Sequence, residues 1–277
     1  MELCLITPIV HLDYTRLLAG RFCLANIAAS SKKYRTFFID SENTILDNGV
    51  FEGDLIEHGR YLELSKEIRP ATIIAPDQIG ASTETNLNMG IEFAKEIKDV
   101  LDYPVKVMFV PQCKRNADPG EVEALQDAML EVKEFDCFGI CRDFAYNAYG
   151  QHTRTIDQEL NRFYLASLWT AEGYIYRVLD AGKSFHFLGI GDRVDLIQFY
   201  WFVNSMDTAS FFWQGLANNT IKEGKLETYL SKPSDYFKRA FDITGEAKEA
   251  ITVNCTTALH YAQQADRLRN KINGKRI

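Results

Sequence analysis

The chain has 277 residues, 46% hydrophobic and 25% charged, a balance that excludes disordered, collagen-like and disulfide-framework classes. Its charge-free stretches, such as Leu196 to Met206, are short and interrupted by Gln198, Asn204 and Ser205, which excludes a transmembrane helix; no membrane partner is expected. Net charge is −7, yet Arg267, Arg269, Lys271, Lys275 and Arg276 crowd the last 11 residues without an acid, so the remaining chain carries −12. Such a basic tail can follow a phosphate backbone or simply solvate a helix end.

The first residues, Met1-Glu2-Leu3-Cys4, lack the basic and long apolar regions of a secretion signal, so a cytoplasmic protein is expected. The six cysteines are scattered and form no Cys-x-x-Cys pair. Cys137 and Cys141, four apart in an extended run, do not suit tetrahedral zinc, and no metal site is expected.

Short β-branched or aromatic runs alternate with segments of helical period along the whole chain. Eight strands are predicted: Leu3 to Thr7, Phe22 to Ile27, Thr44 to Asp47, Ala71 to Asp77, Val105 to Gln112, Phe135 to Cys141, Phe185 to Gly189 and Phe202 to Asp207. Between them, Ser82 caps a stripe of Leu87, Ile91, Ala94, Ile97 and Leu101. Asp118, Pro119 and Glu121 fall at N-cap, N1 and N3 of a helix carrying Val122, Leu125, Met129 and Val132. Gly182 closes a long helical segment beginning near Thr153, whereas the crossover from Ser30 to Asn43 is poor in helix signals.

This alternation predicts an α/β fold, a (β/α)8 TIM-like barrel, with a doubly wound open sheet as the alternative. The barrel is expected over residues 1–215. Residues 216–277 are expected to add helices packed on it, ending in the basic tail.

A barrel of this kind does its chemistry at the C-terminal ends of its strands. Asp47, Asp77, Gln112 and Asp207 fall at four of those ends. Each Asp taken alone could serve as a helix cap or turn residue, and Asp77, between Pro76 and Gly80, is the most open to that reading. The four together favour a site. No Lys or His stands at a strand end, which speaks against Schiff-base and His-ligated metal chemistry; His186, between Phe185 and Phe187, reads as a core residue. Two carboxylates suit substitution at the anomeric carbon of a sugar. A carboxylate beside a carboxamide suits a guanine edge, accepting from N1–H and the 2-amine while the amide donates to O6.

With those residues in place, the sequence resembles the tRNA-guanine transglycosylase superfamily, most closely its small phage-type branch that inserts 7-deazaguanines into DNA. Asp47-Asn48-Gly49-Val50-Phe51-Glu52, Ala75-Pro76-Asp77-Gln78, Phe109-Val110-Pro111-Gln112-Cys113, Phe187-Leu188-Gly189-Ile190-Gly191 and Ser205-Met206-Asp207-Thr208 are similar to the family's motifs and occur in its order. The resemblance covers roughly residues 40 to 215. It implies Asp207 as nucleophile and Asp47 as general acid/base. Asp77 and Gln112 become the guanine readers, with Asn48, Gly49 and Gly189 beside the base and Phe51 and Leu188 on its faces. Cys141-Arg142 stands where the family has Gly-Gly, and the zinc-binding cluster of the larger tRNA enzymes is missing after Asp207; Cys255 and His260 are the nearest candidates.

The resulting expectation is a pentosyltransferase that exchanges guanine, in DNA rather than tRNA, for a 7-deazaguanine such as preQ0 or preQ1. It needs no cofactor, and a homodimer is left open. If the protein is phage-encoded, the compartment is the host cytoplasm. Lys32, Lys33 and Arg35 would join Arg267, Arg269, Lys271, Lys275 and Arg276 along the nucleic-acid backbone. The rivals are a tRNA-guanine transglycosylase, a catalytically silent nucleic-acid-binding barrel, and a hydrolytic N-glycosidase.

Overall fold

A computed structural model describes residues 1–39, 41–50, 56–153, 157–226 and 228–274, with the backbone alone for 151–153. In chain order the elements are β1 (Glu2–Leu5), β2 (Arg21–Leu24), α1 (Ala25–Ser30), α2 (Lys32–Phe38), β3 (Thr44–Asp47), α3 (His58–Ile68), β4 (Thr72–Ile74), α4 (Thr83–Val100), β5 (Lys106–Phe109) and α5 (Pro119–Glu131). There follow β6 (Cys137–Cys141), α6 (Arg142–Thr153), α7 (Gln158–Ala171), α8 (Tyr174–Asp180), β7 (Ser184–Leu188), β8 (Val203–Thr208), α9 (Ser210–Leu216), the short strands β9 (Ile221–Lys222) and β10 (Lys225–Leu226), and α10 (Gly245–Asn273).

Strands β1 to β8 form one sheet in the order β1-β8-β7-β6-β5-β4-β3-β2. Pairing is parallel, with Leu3 opposite Met206, Ile45 opposite Thr72, Ile73 opposite Val107 and Met108 opposite Cys137. Sequential parallel strands alternating with helices make this the α/β, (β/α)8-type fold that the sequence predicts, with a long C-terminal helix. No helix among the described residues is long and apolar enough to cross a membrane. The chain divides into two compact units, one of residues 22–186 and the other of 1–21 with 187–277.

In the 22–186 unit the helices start where local chemistry says they should. Ser82 accepts from Thr85 N–H and Asp118 from Gly120 N–H, as expected of caps. The stripe on α4 is rotated from its expected face: Ala94 and Ile97 are buried, but Asn86, Gly90 and Phe93 take the places foreseen for Leu87 and Ile91. Gly90 accounts for part of this, because a Cβ there would stand 2.7 Å from the Phe109 ring, which is stacked on Phe135 at 4.7 Å. His186 is fully buried against Phe22, their rings 5.7 Å apart.

Three expectations in this unit are corrected. The crossover after β2 is helical: the strand stops at Leu24, α1 begins at Ala25, and Ser31 accepts from Tyr34 N–H to start α2. The single long helical segment expected from near Thr153 to Gly182 is broken: Thr153 ends α6, and residues 158–180 form α7 and α8, separated at Gly173, whose φ of +75° no helix accommodates. Strands β4 and β5 end at Ile74 and Phe109, short of Asp77 and Gln112. Pro76 and Pro111 have no N–H to give a ladder, so the chain leaves the sheet just before each polar residue.

In the other unit, β1 pairs with β8, and α10 is capped by Thr244, which accepts from Ala247 N–H. Buried Asn254 of α10 accepts from Ile221 N–H and donates to Phe211 and Asn219 carbonyls, fastening the β9–β10 hairpin and α9 to the helix. The hairpin turns at Glu223 and Gly224, both with positive φ.

Candidate functional site

Within the 22–186 unit, three predicted residues come together around one carboxylate. Asp77, 6% exposed, receives Asn48 Nδ2–H on Oδ1 at 2.8 Å and Gln112 Nε2–H on Oδ2 at 2.7 Å. Asn48 also donates to the Ala75 carbonyl at 2.9 Å and accepts from Val50 N–H. Asp77 is therefore no helix cap; that task for α4 belongs to Ser82. Burial pushes its carboxyl above the usual carboxylate range, and the two amides oppose the shift.

Sequence reasoning missed the residue that holds this loop. Asn86, fully buried on α4, accepts from Gln78 N–H at 2.6 Å and donates to the Gln78 and Ser82 carbonyls, fixing the backbone directly after Asp77. On the strand side, Tyr61 donates its hydroxyl to the Leu46 and Ile74 carbonyls, tying the ends of β3 and β4.

Asp47, the last residue of β3 and partly exposed, accepts from Gly49 N–H on Oδ2 at 3.0 Å, with Gly49 at φ +81°. Cys141 ends β6, its Sγ 3.9 Å from Gln112 Nε2 and receiving Phe144 N–H. Burial pushes its thiol up to about 12. Arg142 is not a strand residue: it opens α6, and its Nη1 lies 3.7 Å from Glu159. Glu159 is itself buried and paired at 2.7 Å with Arg162, a guanidinium with 0% exposure. A buried ion pair beside the end of β6 was not foreseen, since charges in a helix-period segment read as a solvated face.

In the unit of 1–21 and 187–277, Asp207 lies within β8 and is 6% exposed. Its Oδ1 receives Gly189 N–H at 3.1 Å, and its carbonyl receives Ile190 N–H at 2.8 Å. Gly189 has φ +69°, which turns the chain at the end of β7 so that its N–H meets the carboxylate. Leu188 ends β7 half-buried.

Of the basic tail, Arg269 is held away from Asp207. Arg269 donates from Nε to the Trp201 carbonyl at 2.6 Å and from Nη2 to the Val203 carbonyl at 2.5 Å, at the opposite end of β8. Val203 and Asp207 are four residues apart, about 13 Å along a strand. Arg269 is thus a strand anchor, while Arg267 and Lys271 lie on the same last turns of α10. Arg35 is engaged by Glu67 at 2.7 Å and by the Ala28 carbonyl. Phe51, Glu52, Lys275 and Arg276 lie outside the described residues. Cys255 is buried in α10, and His260 Nε2 is 2.7 Å from Gln264 Nε2; among the described residues no group of three or more metal-ligating side chains is gathered.

The chain matches no protein-family model, and a search of curated proteins returns no match.

Proposed function

We propose that the protein is a guanine transglycosylase acting on DNA, replacing a target guanine with a 7-deazaguanine through a covalent aspartyl-sugar intermediate. The observation that carries this reading is Asp77, a buried carboxylate with one carboxamide donor on each oxygen. Each oxygen keeps a lone pair to accept from guanine N1–H and the 2-amine, and Gln112 keeps a second amide hydrogen for O6. The cost of burying Asp77 is offset when such donors arrive, so the site favours a base presenting two adjacent N–H groups.

In this scheme the target base is extruded from its stack. Asp207 attacks C1′, the bond from C1′ to N9 breaks, and its electron pair passes to the base as Asp47 in its acid form delivers a proton. Guanine leaves. Asp47, now a carboxylate, takes the N9 proton of the incoming 7-deazaguanine, which attacks C1′ and expels Asp207. Two inversions give retention at C1′.

The test is incubation with guanine-containing DNA and a labelled 7-deazaguanine, followed by denaturing electrophoresis. Label should enter DNA, and a protein–DNA link that survives denaturation should form with the native protein and vanish with Asp207→Asn. Turnover of that variant should fall by at least about 10³-fold. Active protein without a covalent link removes Asp207 from the role. Label confined to tRNA overturns the DNA assignment, and guanine release without label uptake favours hydrolysis.

A further inference from the structure

The segment that follows the β9–β10 hairpin combines cations and aromatic rings in an otherwise acidic chain. Between residues 228 and 241 stand Lys232, Lys238 and Arg239 against a single carboxylate, Asp235, whereas the whole chain carries −7. Two of the three cations rest on rings: Lys232 Nζ sits 4.6 Å from the centre of Phe237 and 5.2 Å from that of Tyr236, and Arg239 lies 5.5 Å over Phe241. Arg239 is also 3.9 Å from Asp235. Tyr229 is 46% exposed, with its hydroxyl 3.0 Å from Ser210 Oγ, so the ring stands at the surface with its polar tip tied down.

The segment is anchored at the end of the sheet where Asp207 lies. Ser210 opens α9, three residues after Asp207. Trp213 Nε1 donates to the Leu230 and Ser231 carbonyls, and Gln214 both donates to the Leu230 carbonyl and accepts from its N–H. Further along, Tyr236 donates to the Ile6 carbonyl, Phe237 accepts from Ile9 N–H, and Ile6 N–H bonds Thr208. The backbone is thus pinned to the C-terminal ends of β1 and β8 while Tyr229, Lys232, Lys238 and Arg239 remain exposed.

We propose that this strap, Tyr229 to Arg239, grips single-stranded DNA on the Asp207 side, with a base stacked on Tyr229 and phosphates along Lys232, Lys238 and Arg239. The inference deepens the transglycosylase reading and rests on it for the choice of polymer. Exposed cations, two of them resting on rings, on the same strap as an exposed aromatic ring are what a sequence-tolerant single-strand platform requires. It also replaces the end of α10 as the gripping surface, because Arg269 there is spent on strand carbonyls at the far end of β8.

The test is fluorescence anisotropy with a labelled oligothymidylate, which offers no guanine and so reads binding apart from chemistry, over a series of salt concentrations. Tyr229→Ala should weaken binding about tenfold or more. Tyr229→Phe, which keeps the ring and loses the tether, should retain most of it. The double variant Lys238→Ala/Arg239→Ala should lower the slope of log K against log salt by about 1.4. Arg267→Ala/Lys271→Ala should leave affinity and slope unchanged. Unaltered melting temperatures confirm folding, since the strap is pinned through its backbone. Strap variants that bind like the native protein, a loss that follows the α10 variants instead, or native protein that does not bind the probe would each overturn the proposal, and tighter binding of the matching oligouridylate would overturn DNA as the occupant. If the strap variants lose binding while no base exchange is detected, the surface stands and the transglycosylase reading falls.

Discussion

Gly215 lies in α9 where it crosses α10, and replacing it with alanine sets two known effects against each other. A Cβ at this position would stand 2.5 Å from Ile251 Cγ1, 2.7 Å from Ile251 N and 2.8 Å from Ile251 Cα. Carbon atoms prefer about 3.5–4.0 Å, so the helices must part by about 1 Å, and because two of the three atoms are backbone no rotamer change relieves the contact. With no rotamer able to yield, the cost falls in the upper part of the usual overpacking range, about 2–3 kcal/mol. Alanine returns about 1 kcal/mol through its better helix propensity. The net expectation for Gly215→Ala is a loss of about 1–2 kcal/mol, and at roughly 2–4 °C per kcal/mol for a chain of this size the melting temperature should drop by about 2–8 °C. Circular dichroism or scanning calorimetry reads this directly. Gly245→Ala, at the start of α10 with nothing within 4 Å of its Cβ, supplies the comparison and should be neutral or slightly stabilising. A melting temperature for Gly215→Ala equal to or above that of the native protein would refute the close crossing, because propensity alone would then govern.

Asp77 makes stability depend on pH in a particular direction. Burial raises its carboxyl above the value in the unfolded chain, about 3.9, so the native state holds the proton more tightly than the unfolded one. Its contribution to stability therefore falls as pH rises from the unfolded value through the raised native one, and is constant above both. Denaturant melts across this window should show the native protein losing stability relative to Asp77→Asn as pH rises; a difference independent of pH would remove the buried carboxyl from the account. For the ion pair Glu159–Arg162, Glu159→Gln should cost about 3–5 kcal/mol by leaving a buried guanidinium without its carboxylate, whereas a Glu159→Leu/Arg162→Met pair should cost less. A loss below about 1 kcal/mol in a urea melt of the single variant would show that water reaches the pair.

The parts of the molecule governed by neighbouring residues were legible in the sequence. Ser82 and Asp118 announce their helices because a cap is satisfied within three residues, and the polar ends at Asp47, Asp77 and Asp207 stand out because apolar runs precede them. What escaped depends on residues distant in sequence. Asn86 looks like an ordinary helix residue until its side chain is seen holding Gln78 and Ser82. Arg162 and Glu159 look solvated until helix packing buries them together. Arg269 looks like a free cation until the turn into β8 supplies the Trp201 and Val203 carbonyls it takes up. The strap around Tyr236 has neither helical nor strand period, so its place beside β1 is carried by single hydrogen bonds that no pattern records.

The six cysteines lend themselves to a use unrelated to chemistry at the strand ends. All are free thiols, five buried and Cys141 partly so. Desolvation lifts every one of them, Cys137 to about 11 and Cys113, Cys141 and Cys255 to about 12, with Cys4 and Cys23 well above their ordinary value. A thiol reagent attacks the thiolate, so the closed protein resists alkylation at neutral pH and each sulfur is modified chiefly when its surroundings open. Cys4 and Cys255 report from one compact unit and Cys23, Cys113, Cys137 and Cys141 from the other. Residue-resolved alkylation rates thus form a native clock for each unit, and equal or unequal rates across the two sets measure whether they breathe as one cooperative body or as two.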